Sequence, residues 1–153
     1  MKLTIHRTLP EEANILSEIA FSAKAHWGYP NHWMEMWKPQ FTFSAEYFIE
    51  HESWTAELDD KPIAFYTLEE KDGSAWIENL WVLPEHMGKG IGKHLFLDAL
   101  SRSRSKGYRT LRLEADPNAA GFYEKMGMHQ VGESSRPIDE DPSRVLPLMR
   151  IRL

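Results

Sequence analysis

The 153-residue sequence has no cysteine. Disulfides, thiolate metal sites and a cysteine nucleophile are thereby excluded. No apolar run approaches the roughly 20 residues needed to cross a bilayer. The N-terminal stretch MKLTIHRTLPEE lacks the apolar segment of a signal peptide. A cytoplasmic location without a membrane partner is the expectation. None of the seven histidines sits in a His-Glu-x-x-His or comparable arrangement, so no metal is expected. Basic charge is also scarce, and the net charge is −5. That argues against nucleic acid, whose phosphates are met by Lys and Arg, and mildly favours a cationic substrate such as an amine. No repeat or flexible linker interrupts the chain, which has the length of one domain over 1–153.

The patterning that is present reads as alternating strands and helices. Lys2 to Arg7 alternates like a strand. Thr8-x-x-Glu11 fits a capping box for a first helix reaching about Lys24, and Gly28, Tyr29 and Pro30 break it. Short helices are expected at His32–Trp37 and at Ser44–Glu50, the second capped by Ser44. Strands at Ser53–Leu58 and Pro62–Glu69 are joined by Asp59-Asp60-Lys61, and a third strand spans Ala75–Leu83. A helix from Gly90 to Lys106 and a strand near 109–115 follow, then a short helix opened by Asp116-Pro117. Final strands are expected at Met128–Glu133 and Val145–Arg152. Returning from strand 75–83 through a helix to strand 109–115 implies a parallel pair within a mixed α/β domain.

The most informative stretch is Leu80 to Leu95, LWVLPEHMGKGIGKHL. An apolar strand ends at Pro84, glycines follow at 88, 90 and 92, and a helix begins. Such a turn brings backbone N–H groups together at the positive end of a helix, which suits phosphate oxygens. A Walker loop fails because Gly92-Lys93 is followed by His94 and position 87 is Met. A dinucleotide loop fails because its third glycine would fall on Lys93.

The segment resembles the acyl-CoA loop of the GNAT acyltransferase superfamily, Arg/Gln-x-x-Gly-x-Gly/Ala after a Leu-x-Val strand. Leu80 and Val82 match the strand, and Gly90 and Gly92 match the small positions; Met87 departs from Arg/Gln. A second segment, Glu114 to Met128, is similar to the family's later motif through Tyr123, Glu124, Lys125 and Gly127. The likeness covers roughly residues 53–133. It implies a mixed, mostly antiparallel central sheet with a parallel strand pair splayed around acyl-CoA and helices on both faces.

Site residues follow from both readings. Met87, Gly88, Lys89, Gly90, Gly92 and Lys93 are expected to hold the pyrophosphate of acetyl-CoA. Leu80, Trp81 and Val82 offer backbone groups to the pantetheine arm, as the family implies. Asn118 is read equally as a pantetheine contact or a helix cap, and Phe122 is placed at the same site. Tyr123 is the candidate general acid, since a phenol can protonate a thiolate. Glu78, a carboxylate in an otherwise apolar strand, is the candidate base, with partial burial expected. His26, Trp27 and Tyr29 are candidates for the acceptor side, where aromatic faces can hold an alkylammonium.

The leading reading is an N-acetyltransferase that moves acetyl directly to a primary amine of a small molecule or peptide. A CoA-binding sensor without catalysis is the alternative. Acylation of a macromolecule is a third reading, and acidity weakens its tRNA form. Family members often pair as homodimers.

Overall fold

The computed structural model describes residues 2–153. Its strands are β1 (Leu3–Arg7), β2 (Glu52–Leu58), β3 (Lys61–Lys71), β4 (Ser74–Val82), β5 (Thr110–Glu114), β6 (His129–Ser135) and β7 (Val145–Arg152). Its helices are α1 (Ala13–Ala25), α2 (Asn31–Trp37), α3 (Ala45–Glu50), α4 (Ile91–Ser105) and α5 (Ala120–Lys125). The seven strands form one sheet in the order β1-β2-β3-β4-β5-β7-β6. Every neighbouring pair is antiparallel except β4–β5. Among the described residues no helix is long and apolar enough to cross a membrane.

Each face of the sheet has its own core. Ile91, Leu95, Phe96, Ala99 and Leu100 of α4 pack on Ala75, Ile77, Val82, Leu111 and Leu113. Their i, i+4 spacing is the amphipathic stripe of a helix against a sheet. On the other face Leu16, Ile19 and Ala20 of α1 meet Met34, Trp37, Phe41, Phe43, Phe48 and Phe65. Turn chemistry sets the hairpins. Asp59 and Asp60 carry φ of 51° and 67° between β2 and β3, the two positive values a two-residue turn requires.

The capping box forms with different partners from those expected. Glu12, not Glu11, accepts the Leu9 N–H at 2.8 Å. The Thr8 hydroxyl turns inward to Ser53 (2.7 Å) and Thr55 (2.8 Å). Pro10–Glu12 forms a 3-10 turn, and α1 begins only after it.

Two irregularities shape the centre of the sheet. β4 and β5 pair only at Ala75–Leu111 and Trp76–Arg112. Past Trp76 the edge of β4 that faces β5 has no strand partner. In the β3–β4 ladder Thr67 pairs with Asn79 and Leu68 with Ile77, so Glu78 is an extra, bulged residue. The alternation of faces along β4 therefore breaks at Glu78. Ile77, Leu80 and Val82 share the α4 side, whereas Trp81 packs on the α1 side. Asn79 braces the bulge: its amide donates to Thr67 Oγ1 (3.1 Å) and its oxygen accepts from Trp81 Nε1 (3.0 Å).

Candidate active site

The loop after β4 is built for an anion. Gly88 and Gly90 have φ of 76° and 81°, a left-handed conformation that costs other residues about 1–2 kcal/mol. Gly90 caps α4. Gly92 matters for a different reason: a Cβ there would lie 3.3 Å from the Phe122 ring, which would have to give by a few tenths of an ångström. The first backbone bond of α4 runs from His94 N–H to Gly90 O (3.1 Å). The N–H groups of Ile91, Gly92 and Lys93 are thus left open at the positive end of the helix.

A cavity of about 450 Å³ leads from this loop along the unpaired edge of β4 to α5. Leu80, Trp81, Val82, Met87, Gly88, Gly90, Gly92, Lys93, Asn118, Phe122 and Tyr123 all line it. Lys89 is exposed and outside the lining. The set suits acyl-CoA, with open amides for phosphates, an unpaired strand edge for amides of the pantetheine arm and apolar walls between.

Tyr123 is 7% exposed. Its ring is held between Phe96 and Phe122, at centroid distances of 6.0 and 5.1 Å. Burial, and then the charge of Asp116, push the phenol well above its usual value. It stays protonated at neutral pH. Such a group stabilises a departing thiolate by donating a hydrogen bond; complete transfer to a thiolate, with a pKa of about 8.5, would run uphill.

The Glu78 side chain is 31% exposed at the bulge. Lys71 Nζ lies 2.5 Å from its carboxylate. Glu78 lines both this cavity and a second one of about 490 Å³ on the other side of the sheet. Ile77, Glu78, Trp81, Glu114 and Asp116 are common to the two, so they form the throat between β4 and β5.

Under the second cavity lies a buried network. Lys24 Nζ is 2.5 Å from Asp116 Oδ2. The Tyr29 hydroxyl donates to the same carboxylate at 2.9 and 3.0 Å, as does the Asn118 N–H at 2.8 Å. Tyr29 and Trp37 place their rings 4.7 and 4.9 Å from Lys24 Nζ. Burial drives the Lys24 pKa down against the pull of Asp116. For Asp116 burial acts upward, but the Lys24 bond and charge prevail and hold the carboxyl below its usual range. Tyr29 is pushed up to about 12, by burial first and then by Asp116.

Several placements differ from expectation. His26 caps the end of α1, touches Trp27 edge-on at 5.4 Å and lines neither cavity. Trp27 lines the cavity on the glycine-loop side and not the second one. Tyr29 acts through Asp116 and does not border either cavity. Asn118 does not cap α5, which starts at Ala120; its side chain binds Tyr29 and Asp116. Asp116 likewise opens no helix at Pro117. The second cavity is also less acidic than the chain as a whole. Lys24, Lys71, Arg136 and Arg144 line it against Glu78, Glu114 and Asp116, so the net charge of −5 does not describe its wall.

Lys24, Glu114, Asp116 and Arg144 were not singled out from sequence. Lys24 carried one signal: it stands four residues after the fully buried Ala20, on the apolar stripe of α1. Asp116 pairs across 92 residues, and no local pattern reports that.

The acetyltransferase (GNAT) family pattern matches residues 16–128. A putative [ribosomal protein bS18]-alanine N-acetyltransferase of Bacillus subtilis is 33% identical over 97 residues, covering 53% of this chain and 64% of that protein. The chain thus spans less than two thirds of that relative's length. A peptidyl-lysine N-acetyltransferase of Salmonella typhimurium is 32% identical over 108 residues, 70% of this chain and 68% of its own. Among solved structures, the PaiA N-acetyltransferase of Thermoplasma acidophilum in complex with coenzyme A superposes with a TM-score of 0.77 at 23% identity, covering 100% of both chains. The family pattern over residues 16–128, with which the splayed parallel pair and the glycine loop agree, places the chain in the acetyltransferase (GNAT) family.

Proposed function

We propose that this protein is an acetyl-CoA-dependent N-acetyltransferase whose acceptor is a primary amine of a small molecule or peptide. One observation carries the reading. The unpaired edge of β4 past Trp76 runs directly into a loop of open amides at the α4 N-terminus. Binding of coenzyme A by the Thermoplasma acidophilum protein and acylation of an alanine by the Bacillus subtilis relative agree with it.

Each part of the chemistry has a residue. Backbone N–H groups at Gly88 to Lys93, with the Lys93 ammonium, take the pyrophosphate. The β4 edge between Glu78 and Val82 holds the amide-bearing arm in line and offers an N–H to the thioester oxygen as it gains charge. The acceptor enters from the second cavity and meets the thioester at the throat. An alkylamine with a pKa of about 10.4 arrives protonated, so a base must take a proton. Glu78 is the throat carboxylate assigned that role, directly or through one water. Tyr123 steadies the sulfur as the C–S bond breaks.

The test is a screen of primary amines and peptides with acetyl-CoA, following free thiol. Saturable, amine-dependent thiol release is the expected result. Tight coenzyme A binding with no release on any amine would identify a sensor in place of an enzyme.

A further inference from the structure

The charged residues of the acceptor cavity do not balance. Lys24 is bonded to Asp116, Lys71 to Glu78, and Arg136 donates to both oxygens of Glu114 at 2.8 Å. These three pairs use all three carboxylates of the lining. Arg144 is the fourth cation of that wall, and among the described residues it has no carboxylate partner.

Its guanidinium is held in place nonetheless. The carbon of the group stands 4.9 Å from the Trp37 ring centroid, and its Nη1 donates to Arg136 O at 3.2 Å. The residue is half-buried. Its position over Trp37 and the bond to Arg136 O hold the group and leave other N–H donors free. A planar, oriented guanidinium matches a carboxylate or phosphate through two parallel bonds. Lys24 stands near enough to feel Arg144 as a like charge, so the surroundings raise the benefit of an incoming anion. At the throat of the same cavity stand the carboxylates Glu78, Glu114 and Asp116.

We infer that Arg144, held over Trp37, is an anion-binding subsite of the acceptor cavity, and that the natural acceptor carries a carboxylate or phosphate as well as its amine. The inference rests on that cavity being the acceptor side of an acetyltransferase. It revises the expectation that overall acidity selects a purely cationic amine. One end of the acceptor meets Arg144, and its amine turns toward Glu78 at the throat.

Two measurements test this. The first needs no turnover. The side-chain Nε–H resonance of Arg144, identified by its loss in Arg144→Gln, is titrated with succinate and with inorganic phosphate. A saturable shift with either probe is expected; no shift with both overturns the subsite. The second compares thiol release for β-alanine against its amide and for phosphoethanolamine against ethanolamine. The acidic member of at least one pair should show a kcat/KM at least about ten-fold higher, and the pair that responds tells carboxylate from phosphate. Arg144→Gln should bring that pair within about two-fold, mainly through KM for the acceptor, whereas Arg144→Lys keeps part of the preference. Equal or better use of the neutral members by the wild type overturns the inference. A saturable anion shift with no acetylation of any amine would defeat the transferase reading and leave the subsite standing.

Discussion

Lys24 Nζ lies 2.5 Å from Asp116 Oδ2, and the two side chains are only 9% and 8% exposed. One belongs to α1 and the other to the segment after β5. The pair therefore ties the helical layer on one face of the sheet to the segment bordering both cavities. Tyr29 and Asn118 complete the carboxylate's bonds, so Asp116 is buried with its charge fully met.

Breaking this pair from one side strands the other charge. Lys24→Met is predicted to destabilise the fold by about 3–5 kcal/mol, measured by urea unfolding. Adding Asp116→Leu should cost clearly less than the two single changes summed. Strict additivity would mean that the two groups do not interact.

The same pair gives an acid dependence. The folded Asp116 carboxyl lies below its ordinary 3.8, so the native state binds that proton less readily than the unfolded chain. Its contribution is complete above the unfolded value and is lost as pH falls through the lower folded one. Asp116→Asn should flatten this acid limb of the stability curve. An unchanged limb would place the acid sensitivity elsewhere.

Tyr123→Phe removes a hydroxyl and little volume. We expect kcat to fall about 10²-fold with the KM for acetyl-CoA within about two-fold. Undiminished turnover would make Tyr123 a packing residue beside Phe96 and Phe122.

Glu78→Gln should lower turnover and alter its pH profile, with coenzyme A affinity kept. An unaltered profile would move the role of base to Glu114, to Asp116 or to water at the same throat.

Gly92→Ala drives a methyl into Phe122 at 3.3 Å. It should weaken coenzyme A binding through a displaced α5, and Phe122→Leu should restore part of the loss by making room. Gly90→Ala, strained by its φ of 81°, should cost about 1–2 kcal/mol with no rescue by Phe122→Leu.

The features legible in sequence were those encoded locally. Glycines at 88, 90 and 92 marked the loop: a side chain would be strained at the first two and crowd Phe122 at the third. The period of Ile91, Leu95 and Ala99 marked the buried face of α4, and Asp59-Asp60 marked a hairpin. What escaped notice depends on partners far along the chain. The bulge at Glu78 arises from its pairing with β3, so the sequence of β4 alone does not report it. Thr8 was a plausible cap until Ser53 and Thr55 claimed its hydroxyl. The wall of the second cavity draws on α1, α2, β3, β4, β5 and the segment between β6 and β7, and its surplus cation emerges only when every carboxylate has been paired.

Calorimetric titration of the folded protein with coenzyme A tests the central claim most directly. The account predicts saturable one-to-one binding in the micromolar range, sharply weakened when Gly88 and Gly90 are replaced by valine in a chain that still unfolds cooperatively. Absence of binding to the wild type, or undiminished binding to that variant, would contradict it.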